Sequence, residues 1–391
     1  MTHAARFKLS YMLFFGAIGI LFNYYALYLQ WAGLTGIQIG TVLAVLSLAR
    51  VISQPLWGLI GDIYRLRRVI LSASCFGSAF AALALVYSPD FGWLLLVTSI
   101  LAIQNGPIGP FCDALAIEYL ERESRREQFG SLRLWGSAGF AVASLVVGAL
   151  VIGESIWLII YLYSAVMVLM GLVTATLPDV PHATKATWRG SGPIVWGNRV
   201  FVRLLVATTM IGMTLGVVNS YLIIYLSNIG APGWVSGLTF ALAGILEVPL
   251  MAYAGVLIQR WGLRRVLFWG VALQPLRWML YTVITIPILV VPTQIFHSIA
   301  MLSLLVAGVL FADQLLPNQW RVTGQTAYAA ALHGIGPSIG VFAAGIIYQQ
   351  YGIATVWWAC AVVNIIGAIA LAWAVWTPQP VEAMPRPSID A

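Results

Sequence analysis

Apolar stretches of about 20 residues alternate with short polar loops along almost the whole chain. An α-helix needs about 20 apolar residues to cross the hydrocarbon core of a bilayer. The pattern therefore predicts an all-α membrane protein with twelve spanning helices. They are called spans 1 to 12 below and are predicted at residues 9–31, 36–61, 69–88, 92–119, 129–152, 155–177, 201–228, 233–259, 265–286, 288–315, 325–349 and 353–376.

Lysine and arginine residues collect on one side of these spans. They precede span 1, follow spans 2, 4, 8 and 10 and occupy the segment between spans 6 and 7, whereas the opposite loops carry only the acids Asp90 and Glu154. Cytoplasmic loops of membrane proteins hold such an excess of basic residues. We expect a multi-pass protein of the cytoplasmic (inner) cell membrane with both termini in the cytoplasm.

The composition excludes a soluble protein. Charged residues make up 8% of the chain, against about 25% in soluble domains. The net charge of +7 does not indicate nucleic-acid binding, because the basic residues lie beside the membrane, where they meet anionic lipid headgroups, and no reading motif accompanies them. Cys75, Cys112 and Cys360 lie in apolar segments and the histidines are scattered, so we expect no disulfide framework, no metal site and no cofactor.

The chain repeats itself at an offset of 197 residues. The offset superimposes Tyr24 on Tyr221, Tyr28 on Tyr225, Gly58 on Gly255, Arg67 on Arg264 and Arg68 on Arg265. A repeat of six spans is parallel and suits a transporter whose halves rock about a central site. We therefore predict pseudo-symmetric six-helix bundles at 1–177 and 199–376, joined by a cytoplasmic loop at 178–198 and followed by a cytoplasmic tail at 377–391.

The loop between spans 2 and 3 reads Gly58-Leu-Ile-Gly-Asp62-Ile-Tyr-Arg65-Leu-Arg67-Arg68. It resembles the Gly-x-Leu-x-Asp-Arg-x-Gly-Arg-Arg signature of the major facilitator superfamily, with Ile63 where Arg is usual and Arg65 where Gly is usual. An Asp at a helix end can hold loop arginines in one conformation and release them in another. Plain topology and helix capping is the alternative. The resemblance implies a conformational gate formed by Gly58, Asp62, Arg65, Arg67 and Arg68.

Spans 4 and 5 resemble one branch of that superfamily, which contains lactose permease and the phenylpropionate-type and nucleoside-type proton symporters. The residues that carry the resemblance are Pro110-Phe-Cys-Asp113 and Phe129-Gly-Ser-Leu-Arg133-Leu-Trp135. Asp113 and Arg133 lie at similar depths, about 8–10 Å from the interface at 1.5 Å per residue, so an ion pair is feasible. The resemblance implies that both contact substrate, with a structural salt bridge as the alternative. Trp135 or Phe140 could offer a stacking face.

Three more charges lie near the middle of the membrane. Arg50 and Glu247 are repeat equivalents and could meet across the cavity, and Arg277 is a second candidate partner for Glu247. A carboxylate whose partner moves away takes up a proton, so we assign proton coupling to Glu247 and Asp113, with Arg50 and Arg277 as partners. A permanent structural bridge at Glu247 is the alternative.

Span 10 departs from the branch pattern. His297 matches the histidine of span 10, but the acid expected three residues later is Ala300. His297 is a candidate site residue or a hydrogen-bonded core histidine. Polar and aromatic stripes on spans 1 and 7 are candidate cavity linings because Tyr tips hydrogen-bond while their rings are buried. They comprise Asn23, Tyr24, Tyr28, Asn219, Tyr221 and Tyr225.

These features predict a secondary active transporter that works by alternating access. The leading hypothesis is proton-coupled import of a small organic solute (a sugar, a nucleoside or an aromatic acid), driven by the proton gradient. Alternatives are a proton-driven exporter of amphipathic compounds and an uncoupled facilitator. Span 5 lacks the proline that antiporters of the superfamily often carry. An enzyme or receptor scaffold is disfavoured because no Gly-rich nucleotide loop is present. The resemblance implies a monomer.

Overall fold

The computed structural model describes residues 2–124, 128–150, 155–178, 197–317 and 320–377. Its secondary structure over these residues is helical, with no β-strand among them. All twelve predicted spans are present as helical segments. Most of the predicted central loop 178–198, the tail after Thr377 and the loop acid Glu154 lie outside the described residues.

The first six spans begin and end close to the predicted positions. Span 1 consists of two helices, span 4 is broken once, and spans 2, 3, 5 and 6 are each continuous. The helices in order are His3–Leu21 and Tyr25–Trp31, Gly36–Tyr64, Arg67–Ala84, Phe91–Asn105 and Ile108–Arg122, Phe129–Leu150, and Leu158–Ala175.

The last six spans contain more interruptions. Spans 7 and 12 are continuous, at Arg199–Asn228 and Ile353–Trp376. Spans 8 and 9 are each two helices, at Gly233–Ala252 and Ala254–Trp261, and at Leu263–Ala272 and Gln274–Val283. Spans 10 and 11 each contain a π-helical turn, and their segments are Pro287–Val290, Gln294–Leu302, Ser303–Gly308 and Val309–Gln314, then Arg321–Ala330, Ala331–Ile335 and Gly336–Tyr351.

A proline explains the break in span 4. The helix stops at Asn105 and resumes at Ile108. Pro107 has no N–H, so the carbonyl of Ile103 loses its helical donor. The indole Nε1 of Trp57 on span 2 supplies the replacement at 3.0 Å, which is how non-helical backbone becomes tolerable at this depth.

Span 9 is the one that is too short to cross the membrane as a single helix. Eleven helical segments of the described chain are long and apolar enough to do so, and span 9 is not among them. Its two ten-residue helices meet at Leu273, just before Gln274 and Pro275. Ten residues rise about 15 Å, half of a hydrocarbon core, so the two helices must stack to span it.

Backbones meet closely at the side of the molecule opposite the termini. A β-carbon on Gly148 of span 5 would lie 2.5 Å from the α-carbon of Gly237 on span 8. A β-carbon on Gly345 of span 11 would lie 2.9 Å from the α-carbon of Gly40 on span 2. Small residues allow membrane helices to approach this closely. With the predicted orientation, the first and last six spans are therefore closed together on the outer side.

Candidate functional site

A cavity of about 220 Å³ lies between the first and last six spans. Spans 1, 5, 7, 8, 9 and 10 contribute to its wall. The lining residues are Phe15, Ile18, Asn23, Ser137, Phe140, Val218, Asn219, Leu222, Phe240, Ala243, Gly244, Glu247, Arg277, Gln294 and His297. Asn219, Arg277, His297 and Glu247, which the sequence singled out, are brought together here.

The ion pair predicted between spans 4 and 5 is present. Arg133 Nη1 lies 2.9 Å from Asp113 Oδ2, and Tyr11 Oη donates to Asp113 Oδ1 at 2.7 Å. The Arg133 side chain is 50% exposed. Its guanidinium lies 5.8 Å from the ring centre of Phe15, a cavity-lining residue. The pair therefore lies on the terminal side of the cavity, one aromatic ring away from it.

A chain of linked charged and polar side chains connects spans 8, 9 and 10. Glu247 Oε1 lies 3.4 Å from His297 Nε2, and His297 Nδ1 lies 3.3 Å from Arg277 Nη1. The Arg277 guanidinium is buried and donates two further hydrogen bonds, from Nε to Tyr281 Oη at 2.9 Å and from Nη2 to Gln294 Oε1 at 2.8 Å. Glu247 is the exposed end of this chain, with 29% of its side chain accessible.

The direction of these hydrogen bonds assigns the histidine's proton. A guanidinium can only donate, so Nδ1 of His297 must present its lone pair to Arg277. The ring is then neutral and carries its hydrogen on Nε2, facing the carboxylate of Glu247. Arg277 thus reaches Glu247 through a neutral imidazole rather than by direct contact, and it is the histidine that lies between these two predicted partners.

Arg50 lies elsewhere. Its guanidinium stacks 4.6 Å from the ring of Phe22 on span 1, inside the first six spans and outside the cavity lining. Its Nε and Nη2 are buried and have no hydrogen-bond partner within the described chain. In this conformation Glu247 is next to His297 instead. A meeting of Arg50 with Glu247 remains a prediction for another conformation.

The tyrosines predicted to line the cavity are packed into the protein instead. Tyr24 donates to the carbonyl of Ser144 at 2.7 Å, Tyr28 to that of Leu85 at 3.0 Å, and Tyr221 to that of Val341 at 3.5 Å. Burial within the helix packing explains their polar tips as well as a cavity would. Asn23 and Asn219 of the same stripes do reach the cavity.

The two candidate stacking aromatics, Phe140 and Trp135, lie in different environments. Phe140 lines the cavity. Trp135 is 45% exposed, and its ring lies 5.7 Å from Lys8 Nζ, away from the lining. An exposed indole beside a lysine at the end of a span is typical of an interfacial anchor.

The predicted gate residues form a clustered network on the terminal side. Arg67 bridges two carboxylates, with Nε donating to Asp62 Oδ1 at 2.9 Å and Nη1 to Glu118. Arg68 donates to the carbonyl of Leu177 at 3.2 Å. Arg65 ends span 2 in the left-handed region with φ 56°, the conformation that favours glycine, which is the usual residue in the superfamily signature. Gly58 lies one turn before Asp62 in open space.

Sequence reasoning missed several polar or aromatic members of the site. Tyr11 holds Asp113, Gln294 and Tyr281 hold Arg277, and Phe240 lines the cavity. Spacing carried part of this information, because Tyr281 follows Arg277 by four residues and Gln294 precedes His297 by three, so each pair shares a helix face.

Comparison with known proteins places the chain among transporters. A model described as the MFS_1 like family matches residues 4–359. The chain is 28% identical to the maltose permease of Geobacillus stearothermophilus over 93% of each chain. It is 26% identical to the probable 3-phenylpropionic acid transporter of Escherichia coli (strain K12), over 89% of this chain and 92% of the relative. The crystal structure of the nucleoside transporter NupG has a TM-score of 0.87 at 19% identity and covers 97% of this chain and 100% of that one.

Proposed function

The chain belongs to the MFS_1 like family, and from that premise we propose that it imports a small, neutral, hydroxyl-bearing solute together with a proton. The protein is a multi-pass membrane transporter of the major facilitator superfamily and not an enzyme, because the matched family and relatives are permeases and transporters. The coupling ion, the direction and the solute are the proposal.

One observation carries the coupling: Glu247 is the only carboxylate among the described residues that line the cavity. It is partly accessible and faces a neutral imidazole. A carboxyl that takes a proton can still accept the Nε2 hydrogen of His297 on its other oxygen, so protonation needs no rearrangement. A charged side chain in the membrane interior costs at least about 2.5–3.5 kcal/mol, and protonation of the carboxylate removes this cost. Protonation of Glu247 therefore favours reorientation of the two halves.

The lining supports a neutral solute. Asn23, Ser137, Asn219 and Gln294 offer amide and hydroxyl groups, and phenylalanines on spans 1, 5 and 8 offer flat apolar faces. Three nitrogens of Arg277 already have partners. Two N–H groups of the guanidinium remain, but the side chain is buried, so a solute carboxylate would have little access to this cation. Hydroxyl groups and a ring face meet the available groups as they stand, so a sugar or a nucleoside is preferred over an aromatic acid.

The test is uptake into proteoliposomes that contain the purified protein. The panel is maltose, glucose, a purine nucleoside and 3-phenylpropionate, each with and without an inward proton gradient. Accumulation of a sugar or nucleoside that collapses with a protonophore is the expected result. Accumulation of the acid alone would overturn the solute class, and equal loading with and without the gradient would overturn coupling.

An uncoupled facilitator is the second candidate, because one observation favours it. Ala300 occupies the span 10 position where the resembled branch carries an acid, and it is buried at 1% exposure. No carboxylate is available at that position to exchange a proton with His297. In the same experiment a facilitator equilibrates the solute without accumulation. Gradient-driven efflux of amphipathic compounds would instead indicate an exporter.

A further inference from the structure

A groove of about 480 Å³ lies at the terminal-side end of spans 8 and 9 and shares no lining residue with the solute cavity. It is lined by Arg260, Trp261, Arg265, Trp269 and Leu273. Gly262, with φ 83°, turns the chain sharply between the two spans and brings the arginines together. Neither the proposed transport cycle nor the gate cluster uses these residues.

The bonding of the two groove arginines differs from that of the gate residue Arg67. Neither Arg260 nor Arg265 has a hydrogen bond or ion pair within the part of the chain that the structure describes. In the first half, by contrast, Arg67 bonds Asp62 and Glu118. At the offset of 197 residues, Asp62 corresponds to Gln259. At the same offset Arg265 corresponds to Arg68 and Arg260 to Ile63, so the second half has gained Arg260 at this turn and has lost the acid.

The groove has the polarity of an amphiphile along its length. Arg260 and Arg265 lie at the end of span 8 and the start of span 9, at the predicted cytoplasmic interface. Leu273 lies eight residues further along span 9, about 12 Å deeper in the membrane. Trp261 and Trp269 are more than half exposed, as expected of indoles at the headgroup level. Charge is at the shallow end and apolar surface at the deep end.

We propose that this groove binds an anionic phospholipid of the cytoplasmic leaflet. The phosphate lies between Arg260 and Arg265, and an acyl chain follows Trp269 to Leu273. Basic pockets beside transmembrane helices on the cytoplasmic side bind anionic headgroups in this way. A free phosphate ion would use only the shallow end of the groove and would leave the tryptophans and Leu273 uncovered.

The test is native mass spectrometry of the delipidated full-length protein titrated with phosphatidylglycerol, or with phosphatidylcholine of the same acyl chains. We expect one tightly retained phosphatidylglycerol in the wild type and weaker retention of phosphatidylcholine. The double substitution Arg260→Gln and Arg265→Gln lowers the phosphatidylglycerol affinity about thirtyfold. Equal retention of both lipids, or full retention by the double variant, would overturn the site.

Two controls separate the groove from its alternatives. Arg264→Gln removes a neighbouring exposed charge that does not line the groove, and we expect it to retain the lipid; an equal loss there would mean diffuse attraction and overturn a built site. Inorganic phosphate at millimolar concentration should not displace the lipid, and displacement would make the site one for free anions. Trp269→Ala with Leu273→Ala tests the acyl contact, and unchanged affinity in that variant also counts against the proposal.

Discussion

The carboxylate of Glu247 lies 3.4 Å from the Nε2 of His297, and that nitrogen carries the ring hydrogen because Arg277 occupies the other side of the imidazole. The relationship separates two tasks. The arginine and histidine hold the carboxylate in place, and the carboxylate alone can gain or lose a proton without breaking the chain.

Glu247→Gln fixes the neutral state of this group. We expect gradient-driven accumulation to fall to the equilibration level while solute exchange across the membrane is retained, because exchange needs no change of protonation. Counterflow and active uptake in the same proteoliposomes provide the measurement. Unchanged accumulation would remove Glu247 from coupling. The variant Gln294→Glu places a carboxyl on another residue of the same cavity, beside Arg277. It checks that a charge in the cavity is not sufficient by itself for coupling.

Asp113 and Tyr11 distinguish solute contact from structure. Tyr11→Phe removes one hydrogen bond and should lower the free energy of unfolding by about 1 kcal/mol, with little change in KM. Asp113→Asn should raise the KM for the solute about tenfold or more while changing stability less, because the exposed Arg133 pair is worth only about 0–1 kcal/mol. If both variants lose only stability, the ion pair is a structural bridge.

Gly148 tests closure on the side opposite the termini. A β-carbon there would lie 2.5 Å from the α-carbon of Gly237, so Gly148→Ala should hold the two halves apart and reduce transport about tenfold or more. A cysteine placed at Asn219 should then react faster with an impermeant maleimide from outside, and the buried native cysteines give no background. Gly130→Ala, with nothing within 4 Å of the new atom, is the matched control. Unaltered labelling would contradict the closure.

Arg65 carries the strain of a left-handed conformation, at φ 56°. Arg65→Gly should raise the free energy of unfolding by up to about 1 kcal/mol, because glycine relieves the strain at some entropic cost in the unfolded chain. Thermal unfolding in detergent measures it. Arg65→Ala shortens the side chain without relieving φ, so a gain in that variant would show that charge rather than backbone is responsible.

Arg50 is costly where it lies. Its Nε and Nη2 are buried without partners, so Arg50→Met should stabilise this conformation by about 1 kcal/mol. If Glu247 meets Arg50 after reorientation, the same variant should slow transport, whereas Arg50→Lys should keep part of the rate. Thermal unfolding and initial uptake rates check both effects. Stabilisation with full transport would leave Arg50 without a role in the cycle.

Sequence periodicity was sufficient for the fold, because the bilayer imposes one helix length and one charge asymmetry on every span. The ion pair of Asp113 with Arg133 was also predictable. Spans 4 and 5 are adjacent and antiparallel, so counting residues from their shared end places both side chains at the same depth. The partner of Glu247 was not predictable. Which face of span 10 turns toward span 8 depends on packing between distant helices. The sequence therefore predicted an arginine as the partner of Glu247, whereas the residue beside it is His297.

Tyr24, Tyr28 and Tyr221 are residues that the sequence wrongly assigned to the cavity. A stripe of tyrosines on a membrane helix satisfies its hydroxyls equally well at a water-filled cavity or at a neighbouring carbonyl. Residue type and spacing are identical in both cases. The carbonyls of Ser144, Leu85 and Val341 that accept these bonds lie on other helices, and only the assembled bundle reveals them.

The breaks and π-helical turns of the last six spans also bear on motion. Spans 8, 9, 10 and 11 are all interrupted, whereas in the first half only spans 1 and 4 are, and the gap in span 4 is closed by the indole of Trp57. The two halves are thus similar in sequence, and the second has more helix interruptions. We therefore expect bending during the transport cycle to be concentrated in the last six spans, beside the residues that hold Glu247.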